Sequence, residues 1–99
     1  MRRDLGLESD LLDRVRGPDE FGAIVLARLD AYEAKHGNTG WDRPVDELLA
    51  EMEEEAADIA GWAMGAAHQL DAVQRHRLVV AMSLGAAAWR EIRELRDQL

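Results

Sequence analysis

Apolar residues recur along this chain at about 100° per residue, the helical period, and nowhere alternate as a half-buried strand requires. Four such stretches follow one another. In the first, Leu11, Leu12 and Val15 form the apolar side of a short helix that Ser9 or Asp10 can cap and that Gly17-Pro18 ends. The second opens with Pro18 in its first turn and Asp19 and Glu20 at its positive end. It carries Phe21, Ile24, Val25, Leu29 and Tyr32 at helical spacing and runs to His36, with Gly37 as its C-cap. Residues 37–43, rich in turn formers, read as the one true loop, anchored by Trp41.

A third helix is predicted from Pro44 to about Leu70. Its core-facing arc comprises Leu48, Leu49, Met52, Ala56, Ile59, Ala63, Ala66, Ala67 and Leu70. Asp71-Ala-Val-Gln74 has the form of a capping box, so a fourth helix should start near Ala72 and continue to about Gln98. The connection between the last two helices is short, which makes them antiparallel neighbours. That hairpin sets the region of Gly61 opposite Ala81, and Glu51 to Ala57 opposite Gly85 to about Arg90. Gly61 and Gly65, each costing about 1 kcal/mol in a helix interior relative to alanine, are expected to admit a neighbouring helix at close range. From Leu78 to Trp89 the fourth helix is apolar almost all round, so burial on a second side, against another subunit, is expected.

The fold class that follows is all-α: a small helical bundle, a short N-terminal helix and three longer ones, the last two an antiparallel hairpin, assembled as a homodimer or higher homo-oligomer. Ninety-nine residues suffice for a single domain, with 1–17 as an arm and short helix and 18–99 as the helical core. Only five aromatics are present and much of the apolar content is alanine, so the core is thin and self-association would help stabilise it. A formal charge of −8 argues against a nucleic-acid phosphate backbone as partner. The absence of cysteine excludes disulfides, thiolate metal sites and a cysteine nucleophile. No signal-peptide pattern opens the sequence, and Leu78–Trp89, interrupted by Ser83 and Gly85, is too short to span a bilayer. A cytoplasmic location is expected.

The chemistry concentrates in the third helix. Glu51, Glu55 and Asp58 fall together on the edge of its apolar arc, with Trp62 continuing the row. Glu53 points elsewhere on this wheel, and Glu54 lies further toward solvent. Like charges one turn apart weaken a helix by a few tenths of a kcal/mol per pair, and a divalent cation is one candidate for their compensation.

The same stretch, Glu54-Glu55-Ala-Ala-Asp58-Ile-Ala-Gly-Trp62, resembles the Glu-Glu-x-x-Asp helix of MazG-like, all-α nucleoside triphosphate pyrophosphohydrolases, and most of all their short phage and actinobacterial versions. Lys35-His36-Gly37 followed by Trp41 is similar to the segment that precedes that helix in the family. The resemblance covers about residues 25 to 70. It implies an oligomeric helical fold, Mg²⁺ (or Mn²⁺) held by helix carboxylates, and hydrolysis of a nucleotide substrate to its monophosphate and pyrophosphate. Carried over by position, Glu55 and Asp58 become the catalytic metal ligands and Glu54 the preceding acidic position. Glu51 joins them from the helical wheel. Full-length members carry a second acidic pair, Glu-Glu-x-x-Glu, on the preceding helix, where this chain offers Asp30-Ala-Tyr-Glu33. Either a partner subunit completes the site or the scaffold has outlived its turnover.

Of the arginines Arg75, Arg77, Arg90 and Arg93, Arg90 is the one the hairpin sets level with the acidic row, and it is the candidate nucleotide-phosphate contact. His36, His68 and His76 are not spaced as a metal site. The rival reading is a non-enzymatic, acidic helical interaction or regulatory protein, of phage type, working through protein–protein contacts. Convergent carboxylates around one cavity would favour the enzyme, and carboxylates splayed into solvent the interaction protein.

Overall fold

The computed structural model describes residues 3–15, 17 and 19–99, and at position 38 the backbone alone. Four α-helices and one 3-10 helix follow in order: α1 (Leu5–Arg14), α2 (Asp19–His36), the 3-10 helix Gly37–Asp42, α3 (Val45–Ala67) and α4 (Ala72–Gln98). The all-α expectation holds, and the described residues include no strand. None of their helices is long and apolar enough to cross a membrane. The chain divides into two compact units, Met1–Arg43 and Pro44–Leu99.

In the first unit α1 starts earlier than expected. The cap is Asp4, not Ser9 or Asp10: its carboxylate accepts from the Leu7 amide at 3.0 Å. From the residue just before the cap, the choice is reinforced by charge. Arg3 donates to Glu8 in the first turn of α1 and to Asp30 of α2 at 2.6 Å, with Glu33 at 3.7 Å. Ser9 and Asp10 therefore lie inside the helix, where their capping potential is unused. Pro18, expected in the first turn of α2, lies outside the described residues. At its other end α2 stops at His36 as expected, and Gly37 takes the left-handed conformation (φ 62°) that a C-terminal glycine supplies.

Residues 37–42 form a 3-10 helix, not a loop. The tight winding brings Trp41 back against Tyr32, with ring centroids 4.9 Å apart, while Tyr32 also meets His36 at 4.5 Å and reaches the Gly40 carbonyl with its hydroxyl at 3.4 Å. Trp41 thus anchors the segment, as expected. On α2, Val25, Leu29 and Tyr32 are half-buried, but Phe21 and Ile24 stay exposed.

The second unit is the hairpin of α3 and α4. Helix α3, at 23 residues, is about 35 Å long and begins directly after Pro44. It ends at Ala67, three residues short of the expected Leu70, where Gln69 and Leu70 amides turn back onto the Ala66 and Ala67 carbonyls. The capping box at the start of α4 is present in both halves: Gln74 N donates to Asp71 at 2.8 Å, and Asp71 N to the Gln74 side chain at 3.0 Å.

The register is the expected one, with Gly85 against Ala56 and Ile59. A row of buried and half-buried positions spaced by four and three runs along α3 and just past its end, at Leu49, Glu53, Ala56, Ala60, Ala63, Ala67 and Leu70. Along α4, Leu78, Met82, Gly85, Ile92 and Arg96 follow the same rhythm. This is the seam of an antiparallel coiled coil. Its floor is small, and only Leu49 and Ile92 bury large apolar side chains.

Close approach occurs at Gly85, not at Gly61 or Gly65. A Cβ at Gly85 would sit 2.9 Å from the Ala56 carbonyl oxygen, whereas Gly61 and Gly65 have nothing within 4 Å of theirs. Both fall on the exposed back of α3, because the helix is turned so that 60 and 63, not 61 and 65, enter the seam.

Two predictions follow from these contacts. Gly85→Leu should destabilise the hairpin by about 1–3 kcal/mol through overpacking against the α3 backbone, while Gly61→Ala, in open space, should stabilise by up to about 1 kcal/mol. Urea unfolding of both variants checks the pair, and equal effects would refute the assigned register. The second concerns Glu8, whose pKa the Arg3 hydrogen bond lowers below the ordinary carboxylate value. Its contribution is then complete above the unfolded-state value and lost as the pH falls through the depressed one. Hydrogen exchange should show α1 protection declining on acidification through that range. In Glu8→Gln this decline should vanish.

Candidate functional site

The acidic row lies on the outside of the hairpin. Glu51, Glu54, Glu55 and Asp58 are all exposed, and Trp62, at 80% exposure, is bare. The expected placement of Glu51, Glu55 and Asp58 at the edge of the core is therefore corrected. The apolar arc is rotated: Leu49, Ala56 and Ala63 are buried as predicted, but Met52 (51% exposed) and Ile59 (44%) flank the seam. With 49, 53, 56 and 60 facing α4, positions 51 and 58 fall diametrically away from it. Among the described residues, no three His, Cys, Asp or Glu side chains gather closely enough to hold a metal ion. The row offers oxygen donors of the type Mg²⁺ prefers, spread over a solvated surface.

The carboxylate that does enter the hairpin is Glu53, which sequence reasoning set aside. It is 9% exposed. Arg96 reaches it from α4 with Nη1 2.9 Å from Oε2, and the same guanidinium donates from Nε to Asp46 at 2.9 Å. Asp46 first, and Glu53 second, hold Arg96 even more firmly protonated than usual. Arg93 lies 3.8 Å from Glu53 Oε1 and stacks over the Trp89 ring at 5.2 Å. Glu53 Oε1 itself is buried and receives no hydrogen bond. This arrangement ties the open ends of α3 and α4 by charge, with one acceptor left over. A signal for it existed in the sequence: the four-three spacing from Leu49 to Leu70 admits Glu53 to the seam, and the hairpin then brings arginines at 93 and 96 toward it.

Beside the seam a depression of about 390 Å³ opens on one flank. Ala56, Ala57, Ala60, Gly85 and Ala86 make its small-residue floor, and Met82, Trp89 and Arg90 line its α4 side. Arg90, expected level with the acidic row, shares this depression with Ala56, Ala57 and Ala60, while the row itself lies on the exposed back of α3. Arg75 has a structural use, donating to the Ala67 carbonyl at the end of α3 at 2.7 Å. His68 Nδ1 lies 2.8 Å from the Met64 carbonyl one turn before it. A larger cleft, about 730 Å³, lies in the first unit, where Leu5, Leu12, Phe21 and Leu26 form apolar walls and Asp13 and Asp19 supply the charge.

No family model matches the chain, nor does any curated protein or solved structure.

The Glu53–Arg96 contact yields a stability prediction. Arg96→Met leaves a carboxylate in the seam without its closest cation, and should lower the stability of the hairpin. Arg93→Met should cost less, since Arg93 is farther from Glu53 and more exposed. Chemical denaturation at neutral pH measures both, and an Arg96→Met variant as stable as the parent would show that the pair contributes nothing net.

Proposed function

We propose that this chain is a non-enzymatic helical interaction protein that acts through protein–protein contacts of its α3–α4 hairpin. The observation that carries the reading is the apolar surface left on both flanks of the seam. Ile59 and Met52 stand on one side, and Met64 and Val79, each 56% exposed, on the other. Helices that are apolar beyond the contact they already make are suited to a further helical neighbour. The exposed carboxylates of α3 complement this surface by favouring neighbours that bring positive charge.

A second reading keeps the MazG-like resemblance. One observation favours it: Arg90 lines a depression that reaches Ala56 and Ala57, next to Glu54, Glu55 and Asp58 in the sequence. On this reading Glu55 and Asp58, with Glu54 and Glu51, would hold Mg²⁺, Arg90 would meet a nucleotide phosphate, and another subunit would supply the missing acidic pair. The ion would supply charge stabilisation for a transferring phosphoryl group. The four carboxylates have suitable chemistry, but their exposure on one face without convergence fits such a site poorly.

A direct assay separates the readings. With Mg²⁺ and a panel of nucleoside triphosphates, the interaction protein should release no pyrophosphate above the blank. Its melting temperature should also be indifferent to millimolar Mn²⁺, since a ligand raises stability only by binding the folded state. Pyrophosphate that disappears in both Glu55→Gln and Asp58→Asn would overturn the proposal in favour of the enzyme.

A further inference from the structure

Resting on the interaction reading, we infer that the occupant of the hairpin's Ala57–Ala86 flank is a second copy of this chain, docked so that α3 of each copy lies beside α4 of the other. The flank has the form such packing needs. Its floor of alanine and glycine allows a helix to come near, Trp89 (37% exposed) and Met82 wall it, and Met64 and Val79 extend its apolar surface along the hairpin.

Shape alone does not name the occupant, but charge does. Helix α3 carries seven carboxylates and no Lys or Arg, while α4 carries five arginines against three carboxylates. A helix suited to lie against the acidic, small-residue side of α3 should be apolar along one flank, basic at its margin and of similar length. Within this chain, α4 is that helix. It has Val79 and Ala86 on the flank, Arg90 at the margin of the same depression, and 27 residues to match the 23 of α3.

A two-fold arrangement is self-complementary, each contact occurring twice. Setting α3 beside α4 of the other copy pairs opposite charges at both contacts, whereas setting α3 beside α3 would oppose two carboxylate-rich faces. By the four-three spacing, Glu54 and Arg90 border this flank on their respective helices. They are therefore the charges that meet across the interface.

Sedimentation of the full chain at micromolar concentration tests the inference. The expected species has twice the 11.1 kDa chain mass. Ala86→Glu and Arg90→Glu should each weaken it, the latter by roughly tenfold or more through like-charge opposition, with helicity unchanged by circular dichroism. Glu54→Arg should weaken it likewise. The decisive experiment is a mixture: Arg90→Glu chains and Glu54→Arg chains, each poorly self-associating, should form a mixed dimer, because both of its contacts then join opposite charges. This holds whether or not Ala86→Glu folds. A monomeric parent, a parent dimer indifferent to these substitutions, or a mixture no more associated than its components would overturn the inference. Those outcomes are separate from pyrophosphate release, which bears on the function alone.

Discussion

The contact between Gly85 and the Ala56 carbonyl sets how near α4 comes to α3, and the rest of the hairpin is arranged around that proximity. Any side chain at 85 would collide with α3 backbone, which cannot move aside as a flexible side chain can. The neighbouring seam positions are correspondingly small, with Ala56, Ala60 and Ala63 on α3. Small side chains bury little apolar area. Leu49 and Ile92 can each contribute about 1.5–3 kcal/mol by burial, but among the described residues no side chain is fully enclosed. Close packing of this kind leaves the larger apolar groups, Ile59, Met64, Val79 and Trp89, outside the seam and available to a further layer.

A charge in so thin a seam needs a reason to be tolerated. Glu53 is held by Arg96, which remains partly exposed and keeps one face toward water, so the desolvation cost is smaller than for an enclosed pair. Arg96 also joins Asp46, two turns earlier on α3. The pair adds direction to a contact that alanines alone would leave loosely specified. A displacement by one turn would bring Met82 or Trp89 to the place of Gly85, against the Ala56 backbone, and would also part Glu53 from Arg96. Polar seam residues that fix alignment in this way are well attested in coiled coils.

Much of the fold was legible because its signals are local. The Asp71–Gln74 box, Gly37 after His36 and Pro44 before α3 each act within one turn, and each marks its boundary correctly. The start of α1 was not legible by the same means, since Asp4, Ser9 and Asp10 are all competent caps and a contact to Asp30 on another helix helps select the first. The face of α3 was the harder problem. In an alanine-rich helix two overlapping arcs compete, one that takes in Met52, Ile59 and Ala66, the other Glu53 and Ala60. Hydrophobicity alone chooses the arc without the glutamate. The chain takes the other, because the cation that makes Glu53 acceptable lies on α4, beyond the reach of any reading confined to one helix. The glycines at 61 and 65 misled for the same reason, as their meaning depends on which arc faces the partner.

That rotation also changes what the acidic row requires. On the edge of a core, Glu51, Glu55 and Asp58 would repel one another in a poorly screened environment, and a cation would be a natural remedy. On the solvent face the same repulsion amounts to a few tenths of a kcal/mol per pair and is reduced by salt. The positive end of α3 further favours the carboxylates nearest its start, Asp46 and Glu47. The row therefore needs no metal to account for it. On the interaction reading its part follows from the apolar flanks beside it: a hairpin that exposes Ile59, Met64 and Trp62 next to an uncharged back would associate with any apolar surface. Carboxylates along that back, in a chain of formal charge −8, restrict the choice to surfaces that present cations as well as apolar area. On that reading, repulsion from unsuitable neighbours is the physical role of the row.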